Sequence, residues 1–135
     1  MLQWIKTRIR VRRRRLKPTK SARKAGLLKH GEEARNLVHE KLVYWNKFYG
    51  YKYNRVFIRF QTTRWGSCSS KGNLNFNCKI VLLSPAQADY LIVHELCHLG
   101  EFNHSSKFWD LVGKTIPNYK ELRGEIRKVD LRLLG

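Results

Sequence analysis

Five consecutive residues, His94-Glu95-Leu96-Cys97-His98, carry the side chains in this chain best suited to chemistry. Residues four apart on a helix lie about 40° apart around its axis and stack on one face, so two imidazoles at that spacing reach one metal ion at about 2.0–2.1 Å. A glutamate beside the first histidine leans toward the metal without binding it and can take a proton from a zinc-activated water. With five histidines in 135 residues, composition alone predicts roughly 0.01 occurrences of this H-E-x-x-H pattern. The two imidazoles would also be costly to bury on an apolar helix without a cation to share.

A catalytic zinc takes three protein ligands and keeps one position open. His104, six residues past His98, is the leading third candidate, at the spacing of H-E-x-x-H-x-x-G-x-x-H sites, where the chain turns back after the helix. Glycine stands at 100 rather than 101 and Met1 is the only methionine, which argues against a metzincin. Without His104, the carboxylate of Glu101 or Glu121 is the alternative. Glu121 would sit on the last helix, as in His-His-Glu enzymes. Cys97 lies about 100° around the helix from His98 and points to the core. His30 and His39 fall outside the motif and are expected to be solvated.

The elements that must position these groups follow from patterning. Ser84-Pro85-Ala86-Gln87 offers an N-cap serine, a proline at the first helical position and a capping-box glutamine, so a helix starts there and carries the motif. It is apolar almost all the way round, from Ala88 through Leu99, which marks a buried helix. Ser105 caps a short helix bearing Phe108, Trp109, Val112 and Ile116, and Pro117 opens a last one with Leu122, Ile126, Val129 and Leu133 on one stripe. Upstream, the spacing of Ala34, Leu37, Val38, Leu42, Trp45 and Tyr49 predicts a helix over 32–49, ended by Gly50. Alternation predicts strands over 55–61 and 74–82, and a hairpin arm over 64–69 joined through the turn at 71–73. The middle of the chain is thus expected to be a small antiparallel sheet.

Net charge is +18, and twelve Lys or Arg with no acid lie in residues 1–30; residues 31–135 hold sixteen basic and ten acidic side chains, a net +6. The expected organisation is a basic N-terminal segment and linker over 1–30, with 18–29 lacking any apolar period, followed by one domain over 31–135. Gln3 to Arg12 fits a basic edge strand or a frayed helix. Arginine runs attract polyanions by counterion release, so a nucleic-acid partner through the basic segment is one expectation. Three cysteines without C-x-x-C spacing suggest reduced thiols, and no apolar run serves as a secretory signal or a membrane span. A cytoplasmic protein with no membrane partner is expected.

R-W-G-S-C at 64–68, G-N-L-N-F-N at 72–77, H-E-L-C-H at 94–98 and N-H-S-S-K-F-W at 103–109 stand in one order. Together they resemble the YgjP-like metallopeptidase family, relatives of the WLM and SprT-like zinc peptidases. The resemblance covers residues 32–128. It implies an α+β, minigluzincin-like zincin core: a small antiparallel sheet packed on an active-site helix with N- and C-terminal helices. It also implies His94, His98 and His104 as ligands to one zinc per chain and Glu95 as catalytic base. In such a fold an edge strand beside the active-site helix pairs with an extended peptide. Trp65 to Ser69, including Gly66 and Ser67, is the expected cleft wall, although Trp65 and Cys68 also suit the core. Arg64 and Tyr119 are candidates for stabilising the oxyanion.

Two functions therefore stand. One is a zinc-dependent peptidase acting on peptides or proteins with Glu95 as general base. The other is a nucleic-acid-associated module whose zinc site is structural or vestigial.

Overall fold

The computed structural model describes residues 17–134. The open segment from Gln3 to Arg12 lies outside them. Helix α1 spans Lys20–Asn46, and the Thr19 hydroxyl caps it by accepting from the Ala22 amide at 3.0 Å. The linker expected over 18–29 is thus corrected: from Lys20 onward this segment is the first part of α1. Gly26, within that stretch, is a packing site, because a Cβ there would stand 2.2 Å from the Phe60 ring. Gly31, Ala34, Val38 and Leu42 continue the buried stripe. The helix ends at Asn46, whose side chain accepts from the Tyr51 amide and donates to the Tyr51 carbonyl, while Gly50 takes φ +67°.

Strands β1 (Val56–Arg59), β2 (Gly66–Cys68) and β3 (Leu74–Asn77) form one sheet in the order β1-β3-β2. The β2–β3 hairpin is antiparallel, with Gly66 opposite Phe76, and Gly72 supplies φ +79° at its turn. β1 instead runs parallel to β3, with Val56 opposite Leu74, so the sheet is mixed rather than wholly antiparallel. Alternation reports which faces are buried but not the direction of a neighbour. The strand expected over 74–82 is also half as long as its pattern. Asn77 turns its amide to the Gln61 and Arg64 carbonyls (2.7 and 2.8 Å) and accepts from the Lys79 amide, which starts a 3-10 helix at Cys78–Leu82.

Helix α2 (Pro85–Cys97) opens with the expected reciprocal cap: the Gln87 amide donates to Ser84 Oγ and the Ser84 amide to Gln87 Oε1. Eight of its residues are buried, Ile92, Val93, Leu96 and Cys97 fully. Asp89, half-buried, accepts from Lys41 Nζ and Trp45 Nε1 and so ties α2 to α1. α3 (Ser106–Thr115) and α4 (Tyr119–Arg127) close the fold over α2. The final apolar stripe ends early, since Leu133 is 85% exposed. Lys79 Nζ takes the Leu131 carbonyl at 2.6 Å and Asp130 caps the Arg132 amide, drawing the chain into a turn. Among the described residues no helix is long and apolar enough to cross a membrane.

Candidate metal centre

His94 and His98 stand one turn apart at the C-terminal end of α2, where His98 is itself the cap. The amides of Gly100 and Glu101 both donate to the Cys97 carbonyl, turning the chain so that residues 101–104 return across the helix end. His104 arrives just before Ser105, the N-cap of α3. The Nε2 atoms of His98 and His104 each lie 3.2 Å from His94 Nε2, and one ligand atom from each of the three falls within 4.8 Å of the others.

That geometry fits a single metal ion. Tetrahedral nitrogens bound at about 2.0–2.1 Å stand about 3.4 Å apart. The imidazoles are also held neutral, as ligands must be. Burial, then the neighbouring His98 and His104, bring His94 down to about 3. Burial also lowers His98 and His104, and the Arg123 guanidinium adds to the effect on His104. Partners on the other ring nitrogen orient the rings: His98 Nδ1 donates to the Glu101 carbonyl at 3.2 Å, and His94 Nδ1 meets the Tyr90 hydroxyl at 3.1 Å. Both contacts leave Nε2 free to coordinate.

Glu95 is 5% exposed and its Oε2 has no hydrogen-bond partner. Burial pushes its carboxyl up to about 8. Oε1 lies 3.9 Å from His94 Nε2, so the carboxylate borders the nitrogen cluster without joining it; with His94 neutral this is proximity, not an ion pair. The wall opposite is β2. At Gly66 an added Cβ would stand 2.9 Å from the Asn75 carbonyl, 3.3 Å from Glu95 Cγ and 3.4 Å from Glu95 Oε1, so glycine is what lets the strand lie against the glutamate. β2 is an edge strand, paired among the described residues with β3 alone.

Several groups around the cluster were not singled out as site residues from sequence. Phe108, fully buried, stacks on His98 (4.4 Å, 17°) and meets His94 and His104 edge-on at 5.0 Å, so it forms the floor. Trp109 stacks on His104 (5.8 Å, 20°), and both Tyr119 (5.2 Å, 14°) and the Arg123 guanidinium (5.0 Å) lie against Trp109. Their signal was present in the spacing of Phe108 and Trp109 from His104, but it reads equally as an ordinary core stripe.

The remaining sequence candidates divide. Tyr119 comes within one aromatic layer of His104. Ser67 lies on β2, and Trp65 packs partly into the core. Arg64 is exposed, its carbonyl is held by Asn77, and the residue lines a basic groove. Glu101 contributes its carbonyl, and Glu121 is exposed outside the cluster. Cys97 faces Tyr49, and burial raises its thiol to about 11. His39 is exposed, whereas His30, expected to be solvated, is buried on the inner face of α1 with Nε2 unpaired.

A buried helix presenting two imidazoles and a buried carboxylate to an edge strand, with a third imidazole returned by the following loop, is the arrangement of a metal-dependent peptidase. The comparisons agree: a sequence model of the YgjP-like metallopeptidase domain matches residues 2–129, and the chain belongs to that family. Its structure is similar to the metallopeptidase zymogen abylysin of Pyrococcus abyssi, with 28% identity and a TM-score of 0.60 over 66% of this chain and 90% of that one. The zymogen of Methanocaldococcus jannaschii jannalysin shares the fold at 23% identity and a TM-score of 0.53, over 70% of this chain and 94% of that one. No curated protein gives a significant match.

Proposed function

We propose that this chain is a zinc peptidase in which His94, His98 and His104 hold one zinc per chain and Glu95 is the general base. The observation that carries the proposal is the convergence of three neutral imidazole nitrogens beside a buried carboxylate with an unpaired oxygen. Zinc, when bound, supplies a Lewis acid that acidifies water and polarises the scissile carbonyl. Glu95, buried beside the nitrogen cluster, receives a proton at its carboxylate and returns it to the departing amine. The outer edge of Gly66–Cys68 pairs with an extended substrate main chain. Tyr119, placed on the Trp109 stack beside His104, is better situated than Arg64 to steady the developing oxyanion. The three cysteines, all free, suit a reducing compartment, and we place the protein in the cytoplasm.

The test is hydrolysis of a fluorogenic peptide library by the zinc-loaded chain. Activity should vanish with chelator, return with zinc, and be absent in a Glu95→Gln variant that still binds zinc. Full activity in that variant would overturn the assignment. Polyanion binding by residues 1–30 is a second reading, favoured by their twelve cations without an acid. Retention of a single-stranded oligonucleotide should fall steeply with salt and drop when Arg12 to Arg15 become glutamine; unaltered retention would remove it.

A further inference from the structure

A groove of about 560 Å3 opens where the first turns of α1 cross the end of the sheet. Its rim carries Lys17, Arg23 and Arg64, its floor is built by Ile58 and Phe60, and no acidic side chain lines it. Among the described residues none of these three cations forms an ion pair. Arg59 also borders the groove, but its side chain lies on the opposite face of the sheet, donating to the Asn75 side chain at 3.1 Å. The groove is held to the cleft by covalent chain and by Asn77. That residue is 1% exposed, donates to the Gln61 and Arg64 carbonyls, and through its own amide takes the Trp65 carbonyl at 2.8 Å. Arg64 is two residues from Gly66, where β2 touches Glu95, a span of about 7 Å along a strand.

We propose that this groove is a subsite for acidic side chains of the polypeptide substrate, next to the segment that pairs with β2. The proposal rests on the peptidase reading above. Unpaired cations over an apolar floor complement a carboxylate whose aliphatic stem is buried, and continuity with the cleft edge places that carboxylate on the chain being cut. A nucleic-acid strand fits less well, because the groove offers one ring, Phe60, for stacking where strand binders use several.

The experiment pairs peptides that carry Glu or Gln at positions flanking the cleaved bond, with the full-length zinc-loaded chain, its Arg23→Gln variant and the Arg23→Gln/Lys17→Gln double variant, each checked for native circular dichroism. The native chain should favour the Glu peptides in kcat/KM. That preference should shrink roughly two- to fivefold per cation removed, as for partly screened surface pairs, and fade with salt. Binding of the same labelled peptides to Glu95→Gln, read by anisotropy, should show the same preference without any hydrolysis. Binding preference without cleavage in the parent would uphold the groove and sink the peptidase reading. Cleavage indifferent to Glu or Gln would overturn the groove and leave the peptidase reading standing. A single-stranded oligonucleotide that binds tighter than the acidic peptide and weakens in the same variants would overturn it in favour of a phosphate backbone.

Discussion

Replacing Gly66 by alanine tests whether β2 truly lies against Glu95. The new methyl would stand 2.9 Å from the Asn75 carbonyl and 3.3 Å from Glu95 Cγ, whereas carbons settle about 3.5 Å or more from their neighbours. Either β2 retreats from β3 by about half an ångström or Glu95 does, and the core beneath α2 resists both. Overpacking of this kind costs roughly 1–3 kcal/mol, which for a domain of this size lowers the melting temperature by about 4–12 °C. If Glu95 is the proton acceptor as proposed, displacing it by that distance should also cost about tenfold in kcat/KM at temperatures where the variant is fully folded. Differential scanning fluorimetry and hydrolysis of one fluorogenic peptide measure the two effects. Gly124→Ala on α4 is the control, since a Cβ there meets nothing within 4 Å, and it should raise stability by about 0.5–1 kcal/mol. A Gly66→Ala chain that melts and cleaves like its parent would refute the placement of β2 beside the Glu95 carboxylate.

Other groups give equally definite expectations. Tyr90→Phe removes the hydroxyl that meets His94 Nδ1, and zinc affinity read by chelator competition should fall about tenfold; an unaltered affinity would deny Tyr90 its orienting role. Asn77→Ala leaves the Gln61 and Arg64 carbonyls without their donor and should cost roughly 2 kcal/mol or more in urea unfolding; an unmoved midpoint would show that the 61–65 loop is held otherwise. Burial takes Glu95 from the usual 4.5 to about 8, so in the metal-free fold it keeps a proton that the unfolded chain releases near 4.5. Its contribution to stability is full below that pH and is lost as pH rises to about 8. Chelator-treated parent should therefore lose more melting temperature between pH 5 and pH 8 than Glu95→Gln does, and equal losses would count against a buried, unpaired carboxyl.

What was legible in the sequence was local. The Ser84–Gln87 cap, the one-turn spacing of His94 and His98, and the return of the chain at His104 depend on residues a few positions apart, and their geometry follows from helix dimensions. What escaped depends on distant partners. The stretch 18–29 shows no apolar period, and its helical packing emerges only when Phe60 lies against Gly26. The alternation over 74–82 marks burial correctly at Leu74, Phe76, Cys78 and Ile80, but the turn forced by Asn77 depends on carbonyls at Gln61 and Arg64 that periodicity does not register. The parallel partnership of β1 with β3 is likewise set by tertiary packing rather than by either strand's own pattern. Phe108 and Trp109 look like an amphipathic stripe, and only the convergence of three imidazoles on them reveals a floor and a wall.

The proposed convergence of His94, His98 and His104 on one zinc is open to direct measurement. The direct measurement is zinc per chain, by elemental analysis of untagged protein dialysed against metal-free buffer, with a His104→Ala variant alongside. One equivalent in the parent and a large loss in the variant is the predicted result. A well-folded parent that retains no zinc, or a His104→Ala chain that retains a full equivalent, would contradict it.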